Sequence, residues 1–294
     1  MSIREALRKY GQVEIDLLLS HVLGKSREFL FMSGDNRLTR MQTDRLTRMI
    51  KRRLKGEPVA YILGCKDFMG LRFKVNRHVL IPRPETEELV KMVMEHVTRS
   101  TKQPYKRSSR AFGPRDNGKM RILDLGTGSG CVIISLAKLL SAQHPKISIK
   151  LYASDISAKA LAVAKENAKA HRANVKFVRS DLLQNLKSKF DVIIANLPYG
   201  WQAWKNNTSA ETVGLKFEPK QALFTGEAGL YQIRRLLQQV AETQSVTKVL
   251  FLEFDPRQKL KLGKLINRIL PRSRVNFYKD FNGLWRYAQI AIGK

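Results

Sequence analysis

The sequence predicts an α/β protein, in which a mostly parallel seven-stranded sheet is covered by helices and preceded by a small helical domain. Three observations carry this. From Lys119 onward, apolar runs of strand length alternate with helical patterns. A glycine-rich turn, Gly126-Thr127-Gly128-Ser129-Gly130, sits at the first strand-to-helix transition. Ahead of this region, the first 56 residues carry apolar residues at helical spacing.

In chain order, Ala6, Val13, Leu17, Leu18 and Val22 mark amphipathic helix, with Gly24 as a stop. Leu38, Met41, Leu46, Met49, Ile50 and Leu54 continue a second helical pattern to Gly56. Val59 to Leu63 and Leu71 to Val75 read as extended segments. Ile81-Pro82-Arg83-Pro84 is a stiff extended connection, because a residue before proline is pushed out of the α region. A helix follows from about Glu85, with acids in its first turn. Thr98 to Gly118 combines cations, Pro and Gly without an apolar period, as a linker or surface loop does.

The expected strands are Arg121 to Leu125, Ile149 to Ser154, Val175 to Arg179, Phe190 to Ala195 and Lys248 to Phe254. Val275 to Tyr278 and Arg286 to Ile292 add an antiparallel pair that closes the sheet. Helices are expected at Cys131 to Leu140, Ala158 to His171 and Ala228 to Ala241. The chain therefore divides into a helical domain (1–66), an extended or hairpin connector with its helix (67–97), a basic linker or loop (98–118) and the sheet domain (119–294).

Composition narrows the function classes. No apolar stretch approaches the roughly 20 residues of a membrane span, so no membrane contact is expected. Arg4, Glu5, Glu14 and Asp16 interrupt the N-terminal apolar pattern, unlike a signal peptide. Two cysteines and scattered histidines give no disulfide framework and no metal-ligand spacing. A cytoplasmic setting is expected. The formal net charge is +29, from 54 Lys plus Arg against 25 Asp plus Glu. Arg37 to Lys55 holds eight cations and Arg257 to Arg274 holds seven. Such a field favours encounter with the ribosome, RNA or another acidic partner, and equally describes a solvated basic surface.

The chemistry gathers at strand ends. Gly126-x-Gly128-x-Gly130 lacks the third glycine of a dinucleotide fingerprint, where Cys131 stands instead. Headed by Asp124, it resembles motif I of class I, Rossmann-like methyltransferases, which implies S-adenosylmethionine as cofactor and S-adenosylhomocysteine as product. Gly126, Thr127, Gly128, Ser129 and Gly130 would then hold the methionine end near a helix N-terminus. Asp155, 25 residues after Gly130, ends the next strand and offers a carboxylate to both ribose hydroxyls. It could instead cap the following helix, but Ser157 is an equally good cap. Asp181 and Leu182, after the third strand, fall beside the adenine, and Asp124 braces the glycine loop from below.

Asn196-Leu197-Pro198-Tyr199 follows the fourth strand, at the carboxyl edge where open α/β sheets bind ligands. A planar NH2 nitrogen has its lone pair delocalised and attacks a sulfonium methyl reluctantly. The Asn196 side-chain oxygen and the Leu197 carbonyl can accept its two N–H bonds. Pro198 stiffens the turn, and the Tyr199 ring can stack on the planar group. Asn196 and Tyr199 are thus the expected catalytic residues, Leu197 and Pro198 complete the substrate site, and Asn196 also borders the cofactor. In-line positioning supplies much of the rate, without a metal or a strong base.

Here the chain resembles the HemK/PrmC protein-glutamine N5-methyltransferases, nearly end to end. Arg53 to Gly64 is similar to the family's interdomain segment, and Leu80-Ile81-Pro82-Arg83-Pro84-Glu85-Thr86-Glu87 to its most distinctive signature. Phe217-Glu218-Pro219, Ala222-Leu223, Gly229-Leu230, Leu252-Glu253, Lys279-Asp280 and Arg286 continue the match. The resemblance implies methylation of the glutamine in the Gly-Gly-Gln motif of a peptide-chain release factor, held partly by the helical domain. The family usually has proline at position 197. Asn-Leu-Pro-Tyr is instead usual in ribosomal RNA adenine N6-dimethyltransferases, which lack the helical domain and the proline-rich signature. An RNA adenine or guanine methyltransferase, or one acting on a ribosomal-protein glutamine, is the alternative. Trp201 and Trp204 either line the substrate mouth or pack a loop.

Overall fold

The computed structural model describes residues 1–11, 14–102, 120–145, 148–201, 214–242 and 247–293. Helices α1 (Ile3–Tyr10), α2 (Ile15–Leu23), α3 (Arg27–Met32), α4 (Arg40–Leu54) and α5 (Val59–Leu63) form the N-terminal unit. Local chemistry sets their starts. Ser2 and Glu5 make a reciprocal capping box on α1, and Thr39 and Gln42 make another on α4. Leu18, Leu19, Leu30 and Leu46 are wholly buried between these helices, each burial contributing roughly 2 kcal/mol.

Val59 to Leu63, expected to be extended, is helical. Its run of Val, Ala, Tyr, Ile and Leu suits a strand, and a short apolar run does not distinguish the two forms. The boundaries decide it: Pro58 precedes the helix, its carbonyl accepting from Tyr61 and Ile62, and Gly64 ends it at φ 75°.

Strands β1 (Cys65–Phe68) and β2 (Leu71–Lys74) form a hairpin through Met69 and Gly70, both at positive φ. Helix α6 (Glu85–Lys102) runs into the segment expected to be a linker from Thr98 onward. Its last turn is held as Thr101 Oγ1 donates to the Val97 and Thr98 carbonyls. The remainder of the expected basic linker lies outside the described residues.

The main sheet contains β3 (Met120–Leu125), β4 (Ile149–Asp155), β5 (Val175–Arg179), β6 (Val192–Ala195), β7 (Val249–Glu253), β8 (Arg274–Lys279) and β9 (Trp285–Ala291). Their order is β5-β4-β3-β6-β7-β9-β8; the pairs from β5 to β7 are parallel, and β9 is antiparallel to β7 and β8. Alternate residues feed two cores. Ile122, Val192, Ile194 and Phe251 pack with α6 and α7 (Cys131–Gln143), while Leu123, Ile193, Leu250 and Leu252 pack with α10 (Tyr231–Glu242) and α11 (Lys259–Ile269). Burial on both faces is what a parallel sheet requires. Helix α8 (Ala158–Ala170) covers the β4–β5 end, and a short α9 (Lys220–Leu223) precedes α10.

The sequence pattern describes Arg257 to Arg274 only as a cationic run, yet it contains α11. Leu262, Leu265 and Ile266, at helical spacing, bury its inner face. Helix α10 begins at Tyr231 rather than Ala228, because a 3-10 turn with Ala228 at φ 51° breaks the pattern. No helix among the described residues is long and apolar enough to cross a membrane.

Two bridges tie the N-terminal half to the main sheet. The Tyr61 hydroxyl donates to the Val79 carbonyl at 2.6 Å, and Tyr61 packs with Ile81, Ala160 and Val163. Asn167 of α8 accepts from the Lys74 N–H and donates to the Lys74 and Ser129 carbonyls, at 2.8–3.0 Å, joining the hairpin to the glycine loop.

Candidate active site

One cavity, about 1140 Å³ with its open mouth included, lies along the carboxyl ends of β3, β4 and β6. Its lining runs from Gly126, Thr127, Gly128 and Ser129 through Asp155, Asp181 and Leu182 to Asn196, Leu197 and Pro198. The cofactor and acceptor residues expected from sequence therefore share one space, with two exceptions. Gly130 is not in the lining; a Cβ there would lie 2.9 Å from Ile134 Cδ1 and 3.2 Å from Ala164 Cβ. Its role is to let α7 approach α8. Tyr199, expected to stack on the acceptor, is also absent from the lining, and its hydroxyl donates to Glu253 Oε1 at 2.8 Å.

The glycine loop is held from two sides. The Gly126 and Thr127 N–H groups donate to the Ser154 carbonyl, at 2.9 Å each. Asp155 is not left free, as the presence of Ser157 had suggested. Ser157 does cap α8, but Asp155 Oδ2 accepts from the Gly128 N–H at 3.0 Å and Oδ1 from the Ser157 N–H at 2.9 Å. Burial pushes its pKa up, and those backbone bonds oppose the shift. Asp155 stays in the cavity lining, where its carboxylate can still meet a ribose hydroxyl. Asp181 also lines the cavity, and its carboxylate forms a two-pronged ion pair with Arg235, the closer contact 2.8 Å. Leu182 stands beside it at φ 51° and buried.

Asp124 does brace the loop, accepting the Thr127 hydroxyl at 2.6 Å. Complete burial pushes its carboxyl up to about 7, against a usual 3.8. A carboxyl raised on folding contributes stability that is full below its unfolded pKa and lost as pH rises through the folded value. In the cofactor-free protein, Asp124→Asn should therefore gain on wild type between about pH 5 and pH 8, by on the order of 2–3 kcal/mol. Denaturant unfolding of both proteins across that range measures it; a constant difference would contradict the buried, raised carboxyl.

Around Asn196, three separated elements converge. Asn196 follows β6, Glu253 ends β7, and Thr86 lies in the first turn of α6. Asn196 Nδ2 donates to Thr86 Oγ1 at 3.1 Å and to Glu253 Oε2 at 3.0 Å. Both amide hydrogens are thereby used, and Oδ1 is the end left to accept from a substrate. The neighbouring signature is tied to the same place. The Ile81 N–H and the Arg83 guanidinium both donate to the buried Glu218 carboxylate, at 3.0 and 2.5 Å, and Glu87 accepts the Met69 N–H at 2.7 Å. The backbone after Asn196 is pinned by Gln258, whose Nε2 donates to the Tyr199 and Ala228 carbonyls at 3.0 and 2.8 Å. Sequence reasoning assigned no role to Thr86, Asn167, Glu218, Glu253 or Gln258; a polar residue closing the apolar run Val249 to Leu252 was the available signal for Glu253. Arg257 lies over the Trp201 ring at 4.6 Å, and Trp204 falls outside the described residues.

Comparison with known proteins identifies the family. The PrmC N-terminal domain family matches residues 3–64, and the methyltransferase small domain family matches residues 114–213. The release factor glutamine methyltransferase of Pasteurella multocida is 35% identical over 272 residues, which are 91% of this chain and 86% of that protein. That of Bacillus cereus is 34% identical over 272 residues, 91% and 88% of the two chains. A bifunctional methyltransferase of Rickettsia bellii is 35% identical over 259 residues, and there the match spans 84% of this chain but only 45% of the longer protein. Among solved structures, the hMettl16 catalytic domain in complex with an RNA hairpin has a TM-score of 0.57 at 13% identity, covering 93% of this chain and 90% of that one. The N-terminal domain of human METTL16 in complex with SAH has a TM-score of 0.51 at 14% identity, covering 94% of each. At such identity these two share the fold alone. The chain is an S-adenosylmethionine-dependent methyltransferase and belongs to the release factor glutamine methyltransferase family.

Proposed function

We propose that the chain methylates the side-chain amide nitrogen, N5, of the glutamine in the Gly-Gly-Gln motif of a peptide-chain release factor, in the cytoplasm. The transfer to a planar NH2 nitrogen is carried by the orientation of Asn196, whose Nδ2 hydrogens are both used inside the protein and whose Oδ1 is left to accept; the choice of a release factor glutamine is carried by the family match. Relatives over 86–88% of their length are named for that reaction.

The residues fit the cofactor by the chemistry of their donor set. Gly126 and Gly128, at positive φ, bring backbone close to the cavity, and a Cβ on Gly128 would enter open space. Gly126, Thr127, Gly128 and Ser129 would hold the methionine end, Asp155 the ribose, and Asp181 with Leu182 the adenine; Asn196 borders the methyl. When bound, S-adenosylmethionine supplies a methyl group on a sulfonium leaving group. The chain's own work is to accept the two glutamine N–H bonds at Asn196 Oδ1 and the Leu197 carbonyl, favouring a more tetrahedral nitrogen. Tyr199 would serve by anchoring the turn to Glu253. After transfer the nitrogen proton is acidic and leaves to water, with no strong base required.

Leu197 keeps the family's backbone acceptor, and its buried side chain packs against the glycine loop, with Cδ2 3.2 Å from where a Gly126 Cβ would stand. Leu197→Pro should keep turnover within about threefold, since the carbonyl remains, while lost packing costs about 1–3 kcal/mol. Steady-state kinetics with thermal unfolding checks it, and an inactive but folded variant would show that the turn depends on the leucine.

The assignment is tested by incubating the protein with methyl-labelled cofactor and purified release factor. The factor should be labelled, and a Gln→Ala change in Gly-Gly-Gln should abolish the label; persistent labelling would overturn the assignment. Ribosome or RNA contact, if made in the same setting, would fall to basic surface such as Lys261, Lys264 and Arg268, beside the Glu227–Arg234 pair.

A further inference from the structure

We propose that Glu253 is a positioning residue for methyl transfer, its carboxylate setting which end of the Asn196 amide meets the acceptor nitrogen. The inference rests on the reading that Asn196 receives that nitrogen.

The two ends of an asparagine amide are nearly equal in size, so packing alone does not choose between them. The choice nonetheless decides function. With Oδ1 towards the cavity, Asn196 accepts a substrate N–H; with Nδ2 there, two donors face each other. Hydrogen-bond polarity makes the selection. All three groups around the Glu253 carboxyl donate to it, so its oxygens act here as acceptors: Tyr199 Oη at 2.8 Å, Thr86 Oγ1 at 2.8 Å and Asn196 Nδ2 at 3.0 Å. Thr86 spends its single hydrogen on Glu253, so it can meet Asn196 only as an acceptor, at 3.1 Å. Both neighbours of Nδ2 are therefore acceptors because Glu253 is one. Reversing Asn196 would oppose Oδ1 to the Glu253 carboxylate and to the Thr86 lone pairs.

The arrangement is suited to holding a fixed orientation. Glu253 is 1% exposed and Thr86 3%, so water does not compete for these bonds. The bonds also connect residues 57 and 110 positions apart from Asn196, on different elements. Burial raises the Glu253 pKa, and the Tyr199 and Thr86 hydrogen bonds, with the charge of Arg286, oppose that rise. Arg286 is itself held by Asp280 at 2.7 Å. In such a dry site, leaving one partner unsatisfied is costly, which gives the orientation its rigidity.

A double-mutant cycle tests this on the full-length enzyme, with labelled S-adenosylmethionine and the acceptor protein that wild type labels. Glu253→Met, which removes both acceptor oxygens at similar size, should lower kcat about 10²-fold, the cost of a misplaced reacting group, with little change in cofactor Kd. Glu253→Gln keeps one oxygen for Asn196 and should recover most of that loss. Combined with Asn196→Ala, Glu253→Met should cost much less than it does alone, because only the Tyr199 anchor is then left to lose. A purely structural brace would lower activity in both backgrounds alike. Should Glu253→Met not fold, Glu253→Leu carries the same cycle, because it also removes both acceptor oxygens. Losses that multiply in the double variant, or wild-type kcat in the Glu253 variant, would overturn the inference and leave the role of Asn196 standing. Wild-type turnover in Asn196→Ala would instead remove the reading beneath it.

Discussion

Asn196→Ala is expected to lower kcat about 10²–10³-fold, the usual cost of removing one oriented polar group from a reacting centre. The affinity for S-adenosylmethionine should change little. The first expectation follows from Oδ1, the end of Asn196 that the Thr86 and Glu253 bonds leave for an acceptor. The second follows because the glycine loop is held independently, by Ser154, Asp155 and Asp124. Single-turnover kinetics and calorimetric titration of the cofactor separate the two quantities. A variant that loses cofactor affinity but keeps its turnover would contradict the assigned role.

The second large effect is expected at Gly229, more distant in sequence from the acceptor motif. A Cβ there would stand 2.0 Å from the Tyr199 carbonyl oxygen and 2.2 Å from Gln258 Nε2, and the backbone is at φ 85°. Gly229→Ala must therefore displace both partners of the bond that pins the turn after Asn196. A shift of about 1 Å at a reacting group can cost about 10²-fold in rate, and a similar loss of turnover is expected. Stability should also fall, by about 2–4 kcal/mol, from overpacking added to left-handed strain. Gly24→Ala is the control, since Gly24 also has positive φ, at 62°, but a Cβ there would meet nothing within 4 Å. It should show the strain alone, about 1 kcal/mol, with wild-type turnover. Equal behaviour of the two variants in kinetics would remove the close approach as the cause.

The alternation of strand and helix beyond Lys119 was legible because the central strands β3, β6 and β7, buried on both faces, are nearly continuous apolar runs. The residues of the glycine loop, Asp155, Asp181 and Asn196 were legible because successive strand ends must meet at one sheet edge. Val59 to Leu63 was not, as five apolar residues carry no periodicity long enough to favour helix over strand. Helix α11 was obscured by its seven-cation neighbourhood, although Leu262, Leu265 and Ile266 carry the helical spacing. Within the site, what could not be read was partnership. Thr86 and Glu253 are 167 positions apart, and Arg83 and Glu218 are 135 apart. Local pattern does not announce a bond made only when the chain has folded. The same limit applies to Asp155, which accepts from the Gly128 N–H of the glycine loop, 27 positions away.

The central claim is that the acceptor is a protein amide rather than a nucleobase. Both carry a planar NH2 that Asn196 could hold, and the +29 charge attracts RNA as readily as an acidic protein. The direct measurement is to offer methyl-labelled cofactor with release factor and total ribosomal and transfer RNA in one reaction, then divide the product by ribonuclease and protease treatment. Label in the release factor, resistant to ribonuclease and located by peptide mass spectrometry on the Gly-Gly-Gln glutamine side chain, is the predicted result. Label that ribonuclease removes, with none in the protein, would contradict the account.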